Sequence, residues 1–312
     1  ARADVLLHNY RPGVMDRLGL GSDVLREINP RLIYVAVSGF GKQGPMADKP
    51  AFDHVIQGLT GLTNLQSSDD NGFDLIRTFI CDKVTSYTVC QAATAALVAR
   101  ATTGEGQHID ISMLHACLAF MWPDGMMHKT LKDEDRFEMS PGADYFQTLN
   151  FSDGAVAVAA LTDSHWQAVL PLIGYPELLD TPLFSSIASR MTNMKEVSLV
   201  LKNPRLDIGV EKAVAALKAA DVPCAPCLHQ DELEANDQIQ AIDALETYVT
   251  KAMGELTVPR PPVQFDGAAT SQAKPSPLLG EHSREVLREL GWEDSAIDQL
   301  ISAGDVKVTA LP

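Results

Sequence analysis

The 312 residues are 46% hydrophobic and 21% charged and carry a net charge of −16, a composition suited to a globular chain of one large domain or two smaller ones. That acidity speaks against binding nucleic acid or an anionic membrane surface, because both need clustered Lys and Arg to displace condensed cations. A local basic pocket can still hold a small anion against an acidic background.

Cysteines at positions 81, 90, 117, 224 and 227 make no framework of a small secreted domain, so a reducing cytoplasm is the expected location. No membrane span and no export signal are read from the residues. The chain opens at "ARADVLLHN", without Met and already within a buried-strand pattern, so further residues are expected upstream.

In chain order, "DVLLHN" reads as a strand. "RPGVMDRLG" reads as a helix that begins at Pro12 and stops at Gly19, and "SDVLREINP" as a helix capped by Ser22 and closed by Asn29 and Pro30. "RLIYVAVSG" is a second buried strand, and strand, helix, strand implies a right-handed parallel crossover. "SGFGKQGP" places Gly39, Gly41 and Gly44 in a literal G-x-G-x-x-G. Pro45 and "MADKP" follow instead of a helix, so the motif predicts a glycine loop lining a pocket and no NAD or FAD site.

From Asp82 to about Arg100, apolar and small residues recur, which predicts a helix packed on most sides and ended by "TTGEG". An Asp at the head of a helix is expected to be its N-cap. The first-turn amides and the helix dipole would then keep the carboxylate ionised and favour negative charge developing beside it. "QHIDISML" alternates with strand period and "HACLAFMW" is helical.

The Pro and Gly of "MSPGAD" at 139 to 144 predict a domain boundary. "YFQTLNF", "SDG" and "AVAVAAL" predict a hairpin, with helices near 163 to 173 and 210 to 220 before "VPCAPCL". The Cys224 and Cys227 pair sits between prolines and opens no helix, so neither a redox pair nor half a zinc site is favoured. "PRPPVQFDGAATSQAKPSP" reads as a linker, followed by two amphipathic helices in "GEHSREVLRELG" and "EDSAIDQLISAG". The expected organisation is a large domain over 1–140, a smaller one over 141–255, and a linker with C-terminal helices over 256–312.

The eight histidines show no metal-ligand spacing. Asn9, Tyr10, Arg11 and Arg17 in "NYRPGVMDR" fall at a strand end and in the next helix, where ligands bind in open α/β sheets. Two guanidiniums and an aromatic face suit phosphates and a purine, though a solvated helix gives the same pattern.

Taken together, "ADVLLHNYRPGVMDRLGLG", "NPRLIYVAVSGFGKQGP", "AFDHVIQGLTGL", "CDKVTSYTVCQAATAALVAR", "TTGEGQHIDISMLHA" and "PLLGEHSREVLRELGW" resemble the class III CoA-transferase family, also called CaiB/BaiF. The resemblance implies a Rossmann-like large domain with a parallel sheet plus a smaller α/β domain, in an interlocked ring homodimer. It implies CoA transfer from an acyl-CoA donor to a carboxylic acid acceptor, with no metal or NAD/FAD. The site residues it implies are Asp82 as nucleophile and Asn9, Tyr10, Arg11, Arg17 and Phe52 as CoA contacts.

α-Methylacyl-CoA racemases share the fold and work through a His and Asp pair with a Glu. The racemase His falls on Phe52 and the Glu on Thr162, so two of three acid/base groups are missing, and His54 is two positions off. A racemase-like α-proton enzyme and a non-catalytic CoA-binding protein are the alternatives. The Gly-rich loop that covers the reacting Asp in transferases has only Gly142 in its counterpart here, "EMSPGADYFQT".

Overall fold

A computed structural model describes residues 3–67, 72–130, 132, 146–250, 253–267 and 276–309. The expected boundary at "MSPGAD", the loop position Gly142 and the middle of the expected linker lie outside these residues. Internal contacts gather into two units, Ala1–Pro226 and Cys227–Pro312.

The first unit begins with strand β1 (Val5–His8), the short helices α1 (Val14–Arg17) and α2 (Ser22–Ile28), and strand β2 (Ile33–Ser38). Helices α3 (Asp53–Thr60), α4 (Leu62–Leu65) and α5 (Ile80–Thr103) lead to strand β3 (His108–Ser112), and α6 (Met113–Gly125) and α7 (Met127–Thr130) follow. The three strands form a parallel sheet in the order β1-β2-β3, as the strand and crossover pattern predicts.

Strand alternation gives this sheet two chemically different faces. Ile33, Val35, Val37 and Ile111 are buried with Ala96 of α5 in an apolar core. The opposite face carries the polar groups: Tyr34 pairs in register with His108, and Ala36 pairs with His8 on one side and Asp110 on the other.

Two expected helix caps are corrected. Gly21, not Ser22, is the N-cap of α2, and Ser22 is its first, buried residue. Phe79 is the N-cap of α5 and offers no side-chain acceptor, so Asp82 is the third helical residue and not the cap. The C-terminus is as read, with Gly104 at φ 79° closing the helix in the left-handed conformation that glycine adopts freely. Within the single chain α5 is also less enclosed than its composition predicts: Cys81, Thr85 and Ala96 are buried, while Tyr87 is 77% and Val98 66% exposed.

The glycine loop after β2 leads to no helix, as expected. A Cβ on Gly39 would lie 2.1 Å from the Ala51 Cβ, so glycine is needed there for close packing.

The rest of the first unit holds the expected hairpin, β4 (Thr148–Phe151) with β5 (Gly154–Val158). Then come α8 (Asp163–Leu172), α9 (Ile187–Thr192), α10 (Met194–Lys202), α11 (Val210–Ala219) and β6 (Cys224–Pro226), which pairs antiparallel with β5. Leu149, Val156, Trp166, Leu170, Val197 and Leu217 close a continuous core under this sheet. The buried Arg190 guanidinium is paired: it donates to the Phe184 carbonyl at 2.9 Å and to Asp163 at 2.5 Å, and lies 5.7 Å from the Trp166 ring.

The second unit contains α12 (Asp237–Ala241), the hairpin β7 (Leu245–Thr250) and β8 (Gly254–Pro259), and the two expected C-terminal helices, α13 (Ser283–Glu289) and α14 (Asp294–Ala303).

Candidate active site

An α-helix leaves its first amide donors without partners inside the helix. In α5 the local N-cap supplies none, and the acceptor comes from 28 and 29 residues earlier: Asp53 Oδ2 accepts from the Cys81 amide at 2.6 Å and from the Asp82 amide at 3.0 Å. Asp53 is itself the first residue of α3 and is only 3% exposed. Two helix starts are thus tied through one buried carboxylate, and the Asp82 backbone is held directly by it.

The Asp82 carboxylate stays exposed and makes no hydrogen bond among the described residues. Partial burial first, and the charge of Asp53 second, push the Asp82 carboxyl above the ordinary carboxylate range. This reverses the expectation that the helix start keeps it readily ionised. The physical reason is that Asp82 lies inside the first turn instead of at the cap, where its side chain accepts from none of the first-turn amides among the described residues, while the charge of Asp53 opposes its ionisation. A carboxylate with a raised pKa is also a more basic one, and so a better nucleophile once ionised.

Cys81, next in sequence, is fully buried. Its hydrogen bond with the buried Cys117 and its burial hold the thiol far above the usual thiol range, so it stays neutral and offers no competing thiolate.

Phe52 is the N-cap residue of α3, 68% exposed, with its ring stacked parallel to His54 at 6.3 Å. Asp53 therefore brings Phe52 and Asp82 to adjoining helix starts. Sequence reasoning missed Asp53, although an Asp opening a helix behind an aromatic residue is a visible local signal; that it serves a different helix is not.

A second feature lies over the polar face of the parallel sheet. A cavity of about 320 Å³ is lined by residues including Tyr10, Arg11, Ser22, Tyr34, Lys42 and His108. Tyr34 packs edge-on between His8 and His108 at 5.3 and 5.2 Å and donates its hydroxyl to the Leu20 carbonyl at 3.1 Å. Lys42, from the glycine loop, pairs with Asp110 at 2.8 Å. The Ser22 hydroxyl is buried in the wall without a hydrogen-bond partner among the described residues. Burial, followed by the neighbouring His108 and Lys42, lowers the pKa of His8, so this imidazole is neutral at neutral pH.

Of the residues expected to contact CoA, Tyr10 and Arg11 come together at this cavity. Asn9 and Arg17 are exposed outside its lining, and neither Phe52 nor Asp82 lines it. Arg11 and Lys42 offer cationic donors for phosphate oxygens and Tyr10 offers a face for a planar base. Lys42 was not predicted; a lone cation inside a glycine loop was the available signal.

Among the described residues, no group of three or more His, Cys, Asp or Glu is placed to hold a metal ion, and no helix is long and apolar enough to cross a membrane.

A family model described as CoA-transferase family III matches residues 1–283. The chain is 28% identical over 313 residues to the human succinyl-CoA:glutarate CoA-transferase, covering 98% of this chain and 70% of that protein. It is 32% identical over 292 residues to the acetyl-CoA:oxalate CoA-transferase of Acetobacter aceti, covering 92% and 74%. The crystal structure of a CaiB/BaiF family protein from Brucella suis superposes with a TM-score of 0.73 at 28% identity, covering 92% of this chain and 75% of that one. The mixed α/β fold, its parallel sheet and the family match agree: the chain belongs to CoA-transferase family III.

Proposed function

We propose that this enzyme moves CoA from an acyl-CoA donor to a carboxylic acid acceptor with Asp82 as the nucleophile. The observation that carries the reading is the exposed Asp82 carboxylate in the first turn of α5, its backbone fixed by Asp53.

An Asp82 oxygen attacks the thioester carbonyl carbon, the carbon–sulfur bond breaks, and a mixed anhydride and a CoA thiolate result. The thiolate attacks the Asp82 carbonyl of that anhydride, releasing the donor acid and leaving an aspartyl thioester. The acceptor carboxylate displaces the thiolate to form a second anhydride, and thiolate attack on its acyl carbon yields the new acyl-CoA and free Asp82. Every step exchanges carboxylate and thiolate, so the cycle needs no proton donor, in contrast to racemisation.

Tyr10 and Arg11 bind the nucleotide end of CoA at the cavity over the sheet, Asn9 and Arg17 contact its outer part, and Phe52 shields the reacting carbonyl. The working unit is a homodimer. Asp82→Ala and Asp82→Asn are expected to lose transfer by at least about 10⁴-fold, since the covalent route is removed. Hydroxylamine added during turnover is expected to convert Asp82 to a hydroxamate, read by peptide mass spectrometry. Full activity in Asp82→Asn, or α-deuteration of a 2-methylacyl-CoA without an acceptor acid, would overturn the assignment.

A further inference from the structure

Resting on that reading, we infer that Gln57 is a positioning residue for the nucleophile, acting through Asp53. Gln57 is 1% exposed and sits one helical turn after Asp53 on α3, on the same face. A buried primary amide needs partners for both its ends, and here all of them lie on the path to Asp82. Its Nε2 donates to Asp53 Oδ1 at 2.6 Å, and to the Ile76 and Thr78 carbonyls at 3.2 and 3.4 Å. Its Oε1 accepts from the Ile76 amide at 2.9 Å.

Gln57 thus grips two things at once. It fixes the oxygen of Asp53 that faces away from α5, leaving the other oxygen aimed at the Cys81 and Asp82 amides. It also fixes the Ile76 and Thr78 backbone, at the bend that leads into α5. A structural Gln would satisfy itself against any polar neighbours; this one spans α3, the entry to α5 and the carboxylate that holds the nucleophile's amide. The direction of its amide matters too: turned over, it would set an oxygen against Asp53 Oδ1 and the NH2 group against the Ile76 amide.

That directionality supplies the test. Gln57→Leu keeps the volume and removes every bond. Asp53→Asn sets the NH2 of the new amide against the NH2 of Gln57, unless that new side chain turns over and drops the α5 amides. Asp53→Asn combined with Gln57→Glu reverses donor and acceptor across the pair: the side chain at position 53 still accepts from both α5 amides and the one at position 57 still accepts from Ile76, while the donations to the Ile76 and Thr78 carbonyls are lost, as they are in Gln57→Glu alone.

The measurements are kcat and KM for acyl-CoA across pH, together with the carboxyl titration of Asp82 by ¹³C NMR. Gln57→Leu is expected to lower kcat on the order of 100-fold, the cost of a misplaced reacting group, with KM changed by less than about threefold. The double variant is expected to exceed Gln57→Glu alone in kcat by about tenfold or more, and its Asp82 to titrate at lower pH than in the wild type, because the fixed charge has moved one side chain away.

Wild-type kcat with an unchanged Asp82 titration in Gln57→Leu, or a double variant no better than Gln57→Glu alone, overturns the inference. Should Gln57→Leu fail to fold, the double variant and its titration decide alone. Absence of CoA transfer in the wild type would instead overturn the proposed function, and the titration would still report on Gln57.

Discussion

Asp53 and Asp82 share a patch of backbone but do different work, and the difference is visible in their burial. Asp53 is sealed and accepts from three donors; Asp82 is exposed, makes no hydrogen bond among the described residues, and is shadowed by the charge of its neighbour. Two consequences follow from the raised Asp82 pKa. Transfer needs the ionised form, so kcat/KM is expected to fall on acidification at a pH above that of an ordinary carboxyl. Asp53→Asn removes the opposing charge, so whatever activity it retains is expected to have an acid limb at lower pH; a limb that stays in place would contradict the coupling.

The second consequence concerns stability. A carboxyl whose pKa is higher folded than unfolded binds its proton more tightly in the folded state, so ionising it destabilises the fold once pH rises through that window. Asp82→Asn is therefore expected to melt at a higher temperature than the wild type at neutral pH while being inactive, stability and activity trading off at the functional group. Thermal melts at pH 7 check this. Asp82 was legible from its sequence neighbourhood, whereas its two supports, Asp53 and Gln57, were not, because each acts on backbone 19 to 29 residues away.

Helices and strands were readable where their punctuation is local. Gly104 ends α5 where the residues predict, and the hairpin around "SDG" forms as read. The start of α5 was misread because its cap is borrowed from α3. The β7 and β8 hairpin went unread because its strands are joined by a longer loop, closing at Gly254 with φ 75°, and carry no two-residue turn signal. The glycine loop shows how tightly elements abut: the Gly39 carbonyl also accepts from the Leu114 amide at 3.0 Å, tying the loop to the start of α6. Gly39→Ala is expected to destabilise the protein by about 1–3 kcal/mol, because the new methyl must push the Ala51 segment aside. Urea denaturation measures this, and an unchanged midpoint would mean that the loop yields freely.

At the level of the molecule, a chain of net charge −16 gathers Arg11, Lys42 and two imidazoles, beside Asp16, Asp23 and Asp110, at a cavity over the polar face of a sheet whose other face is apolar core. The parallel sheet and its crossover were legible from alternation and length; the Lys42 contribution required the loop to fold back onto β3. The proposed homodimer would give the exposed Tyr87 and Val98 of α5 a partner. Light scattering is expected to give twice the chain mass of 33.7 kDa, and a monomer at catalytic concentrations would refute it.

The shared carboxylate between α3 and α5 also orders events in time. Helical segments form within microseconds from local contacts, but the start of α5 acquires its acceptor only after a loop of nearly thirty residues has closed and α3 has docked. During refolding, far-ultraviolet ellipticity should therefore recover before catalysis does. A refolding trace in which catalysis returns together with the ellipticity would mean that this clasp forms with the helices and not after them.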